Sequence, residues 1–387
     1  MVKPIITSLL DTDFYKFTMQ QAIFHHYPNT QIEAKFHCRS NVDLSWLIDD
    51  VRLQIDSLSN LKLSDDEASW LSQLGIFAPD YLEWLGQFRL QPETVNVGIT
   101  NGQLSISVKG GWLETTLFEI YILAIISELH GEKSQSKNVI EQGQSRLNDK
   151  LVDLKKHSIS GFCFSDFGTR RRHSKVWHKQ LLQTIQYQMP EVLAGTSNMW
   201  LAKSLNLPVT GTMGHEWLQA HQALAGDLAD SQKQALKIWL QEYPRKLGIA
   251  LTDTISMKAF LSDFDLELAE AFQGLRQDSG DPIWWGELAL SHFESLGIDA
   301  ISKTFVFSDS LNFEKALAIY QHFCGQVNIQ FGIGTWLTND VGQQALNMVL
   351  KMVKCNGKPV AKISDAQGKT LSKDIEYLKR LKSAFDL

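Results

Sequence analysis

Leu207-Pro-Val-Thr-Gly-Thr-Met-Gly-His-Glu-Trp217 runs from a short apolar stretch through small residues into a segment with helical spacing. That order (apolar run, turn rich in Gly, Ser or Asp, helix-like segment) recurs from about residue 160, at Phe162-Cys-Phe, Val192-Leu-Ala, Leu207-Pro-Val, Ile249-Ala-Leu, Gly274-Leu-Arg, Phe305-Val-Phe and Ile329-Gln-Phe. Repetition of such a unit predicts a parallel sheet with crossover helices, curled into an α/β barrel. The turns that follow the apolar runs carry the polar motifs. They lie at the carboxyl ends of the predicted strands, where barrels build their active sites.

Outside this region the pattern changes. Helical spacing over Asp11 to His26 and Asp65 to Leu74 alternates with period-two runs such as Gln103-Leu-Ser-Ile-Ser-Val108, which predicts an N-terminal α+β domain over 1–130. A polar segment over 131–150 links it to the barrel, assigned to 151–354. The tail, 355–387, holds a strand candidate, Pro359-Val-Ala-Lys-Ile363, and a basic amphipathic stretch, Tyr377 to Lys382, expected to return to the N-terminal domain.

Composition narrows the class of function. The chain has 387 residues, 44% hydrophobic and 21% charged, ordinary for a globular protein large enough for more than one domain. A net charge of -6 leaves no cationic excess to meet a nucleic-acid backbone, so any anion site is a local cluster. The N-terminus reaches Asp11 without an apolar core, unlike a signal peptide, and the most apolar run, Ile120 to Ile126, is too short to span a bilayer and predicts a buried helix. The four cysteines are scattered without metal-ligand spacing and are expected to be reduced thiols of a cytoplasmic protein.

Several turns bear chemistry. His215 sits between small residues that admit a ligand, and an imidazole oriented by a carboxylate is a nucleophile or base; the plain alternative is a buried histidine bonded to a carbonyl. Asp253 and Asp278, after neighbouring apolar runs, either converge on that ring or cap the helices that follow. Arg170, Arg171 and Arg172 cannot all face one way, so one or two suit an anionic substrate while another is structural. Arg276 stands beside Asp278, and Asp309 is offered to sugar hydroxyls or to a helix start. Gly332-Ile-Gly-Thr335 is a phosphate cradle or merely a tight turn. The chain has no Gly-x-x-x-x-Gly-Lys-Ser/Thr loop, no dinucleotide Gly-x-Gly-x-x-Gly and no His-Glu-x-x-His, so a nucleoside triphosphate would bind without a P-loop.

Taken in order, Asp11-Thr-Asp-Phe-Tyr-Lys-Phe-Thr-Met19, Phe167-Gly-Thr-Arg-Arg171, Gly195-Thr-Ser-Asn198, Gly211-Thr-Met-Gly-His-Glu216, Leu275-Arg-Gln-Asp-Ser-Gly-Asp281 and Phe331-Gly-Ile-Gly-Thr335 closely resemble the nicotinate phosphoribosyltransferase family, in its bacterial form. The resemblance spans nearly the whole chain. It implies a type II phosphoribosyltransferase fold, an irregular TIM-like α/β barrel with an N-terminal α+β domain, in a homodimer whose active sites lie at the subunit interface. It implies a ligase-class reaction in which nicotinate and phosphoribosyl pyrophosphate give nicotinate mononucleotide and pyrophosphate, driven by ATP with Mg²⁺ carried on the phosphates, a first step of NAD synthesis from nicotinate.

The resemblance also implies residue roles. His215 would be transiently phosphorylated, with Asp253 and Asp278 orienting it. Phe167 would stack on the pyridine ring, with Tyr15 of a partner subunit over its other face. Arg170 and Arg276 would bind substrate anions, and Asp309 with Gly332, Gly334 and Thr335 would hold ribose and 5'-phosphate. In the related nicotinamide-using enzymes an aspartate occupies the place of Ser197, so an uncharged Ser197 points to the acid rather than the amide as substrate. A third reading, a phosphosugar sensor without chemistry, does not account for His215 together with its two acids.

Overall fold

The computed structural model describes residues 3–133, 138–157, 160–364, 372 and 374–387. Residues 134–137 of the linking segment, and 365–371 and 373 of the tail, lie outside the described residues. The strands are β1 (Gln31–Cys38), β2 (Val95–Thr100), β3 (Gln103–Gly111), β4 (Phe164–Asp166), β5 (Leu193–Thr196), β6 (Ile249–Leu251), β7 (Gly274–Gln277), β8 (Thr304–Phe307), β9 (Asn328–Ile333), β10 (Met348–Cys355) and β11 (Lys358–Pro359). They form a five-stranded sheet of order β11-β10-β1-β3-β2 and a six-stranded sheet of order β5-β4-β9-β8-β7-β6. The architecture is the expected α/β class, an irregular TIM-like barrel preceded by an α+β region.

The chain divides into two compact units, one comprising 1–29, 34–211 and 333–351, the other 30–33, 212–332 and 352–387. In the first, β2 and β3 form an antiparallel hairpin, and Leu104, Ile106 and Val108 alternate inward along β3 as the period-two pattern predicts. The helix Phe118–Lys133 is buried through Ile120 to Ile126, as its apolar run predicts, with Glu119 and Glu128 on either side of that run. The helix Asp65–Gln73 begins with a full capping box, Ser64 and Glu67 each accepting from the other's backbone N–H. The helix Val139–His157 covers part of the linking segment.

In the second unit β6, β7, β8 and β9 run parallel in unbroken register, with Leu251 opposite Arg276, Gln277 opposite Phe307 and Phe307 opposite Phe331. Continuing that register past the strand ends sets Asp253, Asp278, Ser308 and Gly332 in one row, and a hydrogen bond of 2.9 Å from Ser308 Oγ to Asp278 Oδ1 ties two of them. Beneath the row, Trp285 packs edge-on against Phe305 and Phe307, with Phe323 and Phe331 completing the cluster. The helix Pro282–Ser295 approaches so closely that a Cβ on Gly286 would lie 2.3 Å from the Phe323 ring.

Six of the seven apolar runs become strands, although the first begins at Phe164, two residues later than its pattern suggests. The exception is Leu207-Pro-Val. Asn206 turns left-handed at φ 52°, Pro208 has no N–H to give, and only a single parallel bridge joins Val209 to Thr196. Pro359 to Ile363 also departs from its expected strand: Val360 N still bonds Val353 O of β10, and beyond it the segment turns to other partners, with Ile363 N donating to Thr254 O. The terminal helix, Ile375–Ala384, packs Tyr377 and Leu381 with Ile255 and Ala259. Among the described residues no helix is long and apolar enough to cross a membrane.

Candidate active site

His215 opens the helix His215–Leu224 directly after Gly214. The positive end of a helix disfavours a proton on a ring held there. Asp253, two residues beyond β6, brings Oδ1 to 2.8 Å from His215 Nε2, and Asp278, at the end of β7, brings Oδ2 to 3.8 Å. Neither acid is a cap, since Ser256 and Asp281 cap the helices that follow. Lys362 Nζ stands 2.7 Å from Nε2 and donates to Asp253 Oδ2 at 2.5 Å, while Ser279 Oγ donates to the same oxygen at 2.6 Å.

Charge balance follows from these contacts. Burial works to raise the Asp253 carboxyl, but the Lys362 and His215 charges outweigh it and hold the group well below the usual carboxylate range. Asp278 is lowered too, with Arg276 and then His215 overcoming burial. For His215, burial and then the Lys362 charge lower the proton affinity against the pull of Asp253. His215, Asp253 and Asp278 are the one group among the described residues with metal-ligand spacing. The Lys362 ammonium already supplies a cation at that position. Arg276 gives Nη1 to Met213 O at 3.3 Å, and its buried Nε has no acceptor among the described residues, which leaves it a donor for a ligand anion.

The first unit holds a second group. Asp166 accepts from Gly168 N at 2.9 Å, His178 Nε2 at 2.7 Å and Thr196 Oγ1 at 2.7 Å, so the turn carrying Phe167 and Arg170 is fixed from three sides. A Cβ on Gly168 would meet Thr338 Cγ2 at 2.2 Å, which is why the turn needs glycine there. Arg170 is 40% exposed, with Nη1 3.7 Å from Glu119, and Glu119 also takes Lys16 at 2.7 Å and Tyr15 OH at 3.5 Å. Tyr15 and Arg170 of one chain therefore share an acid. Ser197 Oγ donates to Asp13 Oδ1 at 2.7 Å, and burial, only partly opposed by Arg170, raises the Asp13 carboxyl.

Comparison with known proteins converges on one family. Residues 162–387 match the model of the nicotinate phosphoribosyltransferase (NAPRTase) family, and residues 10–127 match its N-terminal domain. A nicotinate phosphoribosyltransferase of Photorhabdus laumondii is 48% identical over 392 residues, covering 99% of this chain and 97% of the relative. One from Pectobacterium carotovorum is 49% identical over 389 residues, with 99% and 97% covered. The chain belongs to the nicotinate phosphoribosyltransferase family. Solved structures agree: the Vibrio cholerae nicotinate phosphoribosyltransferase superposes with a TM-score of 0.95 at 38% identity over 100% of this chain and 95% of that one. The Porphyromonas gingivalis enzyme gives 0.92 at 35% over 99% and 100%.

Within this nicotinate phosphoribosyltransferase family member the three arginines separate as sterics requires. Arg172 is fully buried, bonded to Asp11 and Glu128, and Arg171 gives Nε and Nη2 to Met348 O, so Arg170 alone of the three is placed for a ligand. Asp309 is not a cap, because Asn312 caps the next helix, and Ser310 Oγ donates to it at 3.1 Å. Gly332 is the next-to-last residue of β9; Gly334 and Thr335 lead into the short helical turn Thr335–Thr338, and a Cβ on Gly334 would stand 2.9 Å from Phe167 O. Lys362, Ser279 and Asp13 escape sequence reasoning. Lys362 falls within an expected strand, where its side chain has no distinguishing pattern, and Asp13 lies inside a motif whose tyrosine is the more conspicuous residue.

Proposed function

We propose that the chain forms nicotinate mononucleotide from nicotinate and phosphoribosyl pyrophosphate, releasing pyrophosphate, and that ATP phosphorylates His215 in the same cycle. The family supplies the substrates. The observation that carries the ATP-dependent part is the ring of His215, held through Nε2 by Asp253 at 2.8 Å. Lys362 Nζ, a donor only, also stands 2.7 Å from Nε2, and the attacking nitrogen is whichever of the two in the ring carries no proton. The bond from that nitrogen to phosphorus forms, the bond from the γ-phosphorus to its bridging oxygen breaks, ADP departs with the electron pair, and the other ring nitrogen keeps its proton. Burial and the Lys362 charge favour the uncharged ring that this attack needs.

In the transfer itself the pyridine nitrogen of nicotinate bonds to C1 of the ribose as the bond from C1 to pyrophosphate breaks. Positive charge builds on the sugar and negative charge on the leaving group, and cationic donors are worth most against the latter. Arg276 and Arg170 take the substrate anions, Phe167 and the partner subunit's Tyr15 the ring, and Asp309 with Gly332, Gly334 and Thr335 the ribose and 5'-phosphate. Mg²⁺ arrives on the phosphates and offsets their charge; the His215 cluster does not fit it, because Lys362 lies between the ligand atoms. The enzyme works as a homodimer in the cytoplasm, in keeping with four free cysteines.

Arg276→Ala is expected to lower kcat/KM for phosphoribosyl pyrophosphate or nicotinate by an amount equivalent to about 1.5 to 3 kcal/mol, the value of a charge-assisted contact, with little change in folding. Unchanged specificity constants for both substrates would remove Arg276 from the site.

Acid selection is the property that separates this reading from a nicotinamide-using enzyme. Ser197→Asp would place a carboxylate near the carboxylate of nicotinate, and two unit charges at ~4 Å with an effective dielectric near 20 repel by about 4 kcal/mol. Nicotinate turnover is expected to fall at least about tenfold, roughly 1.4 kcal/mol, with residual activity shifted toward nicotinamide. Because Asp13 already stands 2.7 Å from Ser197 Oγ, the ratio of the two bases is the informative quantity. An undiminished preference for the acid would move selection to Arg170.

Steady-state assays of the wild-type chain with each base test the reaction directly. Nicotinate mononucleotide from nicotinate and little product from nicotinamide are expected; no product from nicotinate overturns the reading.

A further inference from the structure

Lys362 belongs to none of the motifs that identify the family, yet it is a buried cation set directly against His215 and Asp253. The segment that carries it is clamped on both of its neighbours. Gln222, on the helix that begins with His215, donates to Ala361 O at 2.7 Å and accepts from Ala361 N at 2.8 Å. Ile363 N bonds to Thr254 O next to Asp253, and Ser364 Oγ reaches Ser279 Oγ at 3.0 Å. Tyr377 OH, from the terminal helix, holds Gln222 Oε1 at 2.8 Å. Between these fixed points the Lys362 side chain is 5% exposed, with Nζ 2.7 Å from His215 Nε2 and 2.5 Å from Asp253 Oδ2.

The charged groups around the ring make the consequence plain. Asp253 and Asp278 face His215 from the ends of β6 and β7, Arg276 stands by Asp278, and Lys362 faces both the ring and Asp253. Two carboxylates against one guanidinium would draw a proton onto the imidazole, and an imidazolium has no lone pair on either ring nitrogen. With Lys362 present the surrounding charge is balanced while the ring is neutral. We propose that Lys362 is a positioning residue for His215: its ammonium group offsets the paired carboxylates and keeps the ring uncharged, so that one ring nitrogen retains the lone pair that attacks phosphorus. The tail of the chain thereby supplies part of the phosphorylation machinery. The lowered proton affinity of His215, caused by burial and then by Lys362, agrees with this.

The chemical half of this inference rests on the proposed ATP-dependent reaction; the protonation half does not, and the test separates them. In the full chain labelled with 15N-histidine, the His215 ring is identified by its loss in His215→Ala. At neutral pH the wild-type ring is expected to be neutral. In Lys362→Met it is expected to be an imidazolium, with its midpoint raised by about one pH unit or more, whereas Lys362→Arg stays near wild type. Protein labelling from ATP in Lys362→Met should fall at least about tenfold at neutral pH and recover as pH rises past the new midpoint. Should the unpaired Asp253 prevent Lys362→Met from folding, Lys362→Met with Asp253→Asn removes both charges, and its ring is expected to be neutral. A His215 titration unmoved in Lys362→Met, or a charged ring in the double variant, overturns the proposal. A shifted titration in a protein whose wild type takes no label leaves the positioning role standing and refutes the proposed ATP step.

Discussion

Replacing His215 by alanine is expected to abolish ATP hydrolysis and phosphoryl labelling of the chain while a slow, ATP-independent transfer of the phosphoribosyl group persists. In the proposed scheme the ring is the nucleophile in the first process and only a neighbour in the second, whose stabilisation would come from arginine side chains and phosphate-bound Mg²⁺. Loss of a nucleophile costs on the order of 10⁴-fold or more in the step it performs. Asp253 and Lys362 remain as an ion pair in the variant, so the fold is not left with an unpaired buried charge. An acid-labile phosphoprotein formed at the wild-type level by His215→Ala would place the phosphoryl group on another residue.

Arg172→Met should carry the largest cost in stability of any single change considered. Arg172 is fully buried and bonds Asp11 through Nη1 at 2.6 Å and Nη2 at 2.9 Å, and Glu128 through Nε at 2.7 Å. Asn198 and Lys175 complete the surroundings of Asp11. Removing the guanidinium strands two carboxylates without their main partner, a change worth about 3 to 5 kcal/mol. Urea unfolding should show the midpoint fall with little change of slope. The effect also depends on pH. Burial works against the Asp11 charge, but Arg172 and then Lys175 hold its carboxyl far below the usual range. That contribution is present above the unfolded carboxylate pKa and lost as pH falls through the folded one, so the gap between wild type and variant is widest near neutrality and narrows toward acid. A loss below about 1 kcal/mol at neutral pH would mean that the network is not the support described.

Much of the barrel and of its site is legible in the amino-acid sequence alone, and the reasons are physical. Parallel strands buried on both faces write continuous apolar runs, and the register of β6 to β9 then fixes where Asp253, Asp278 and Ser308 fall. His215, Asp253 and Asp278 stand out in that pattern, and the structure brings them together. What the pattern cannot express is partnership across long separations. Lys362 lies 147 residues from His215, and nothing local distinguishes it from the other lysines of the tail. The arginine run shows the same limit, since only tertiary contacts decide that Arg172 is sealed against Asp11 while Arg170 stays at the surface. The Leu207 run fails as a strand for a local reason, the missing N–H of Pro208, that its apolar character conceals.

The proposed reaction couples phosphoribosyl transfer onto nicotinate to ATP through His215. Its most direct test is a single incubation of the purified chain with nicotinate, phosphoribosyl pyrophosphate, Mg²⁺ and γ-labelled ATP, followed for product and for label on the protein. Nicotinate mononucleotide together with acid-labile label that maps to His215 is the expected result. Product formed at full rate with no label on the chain, or label on a residue other than His215, would contradict the account.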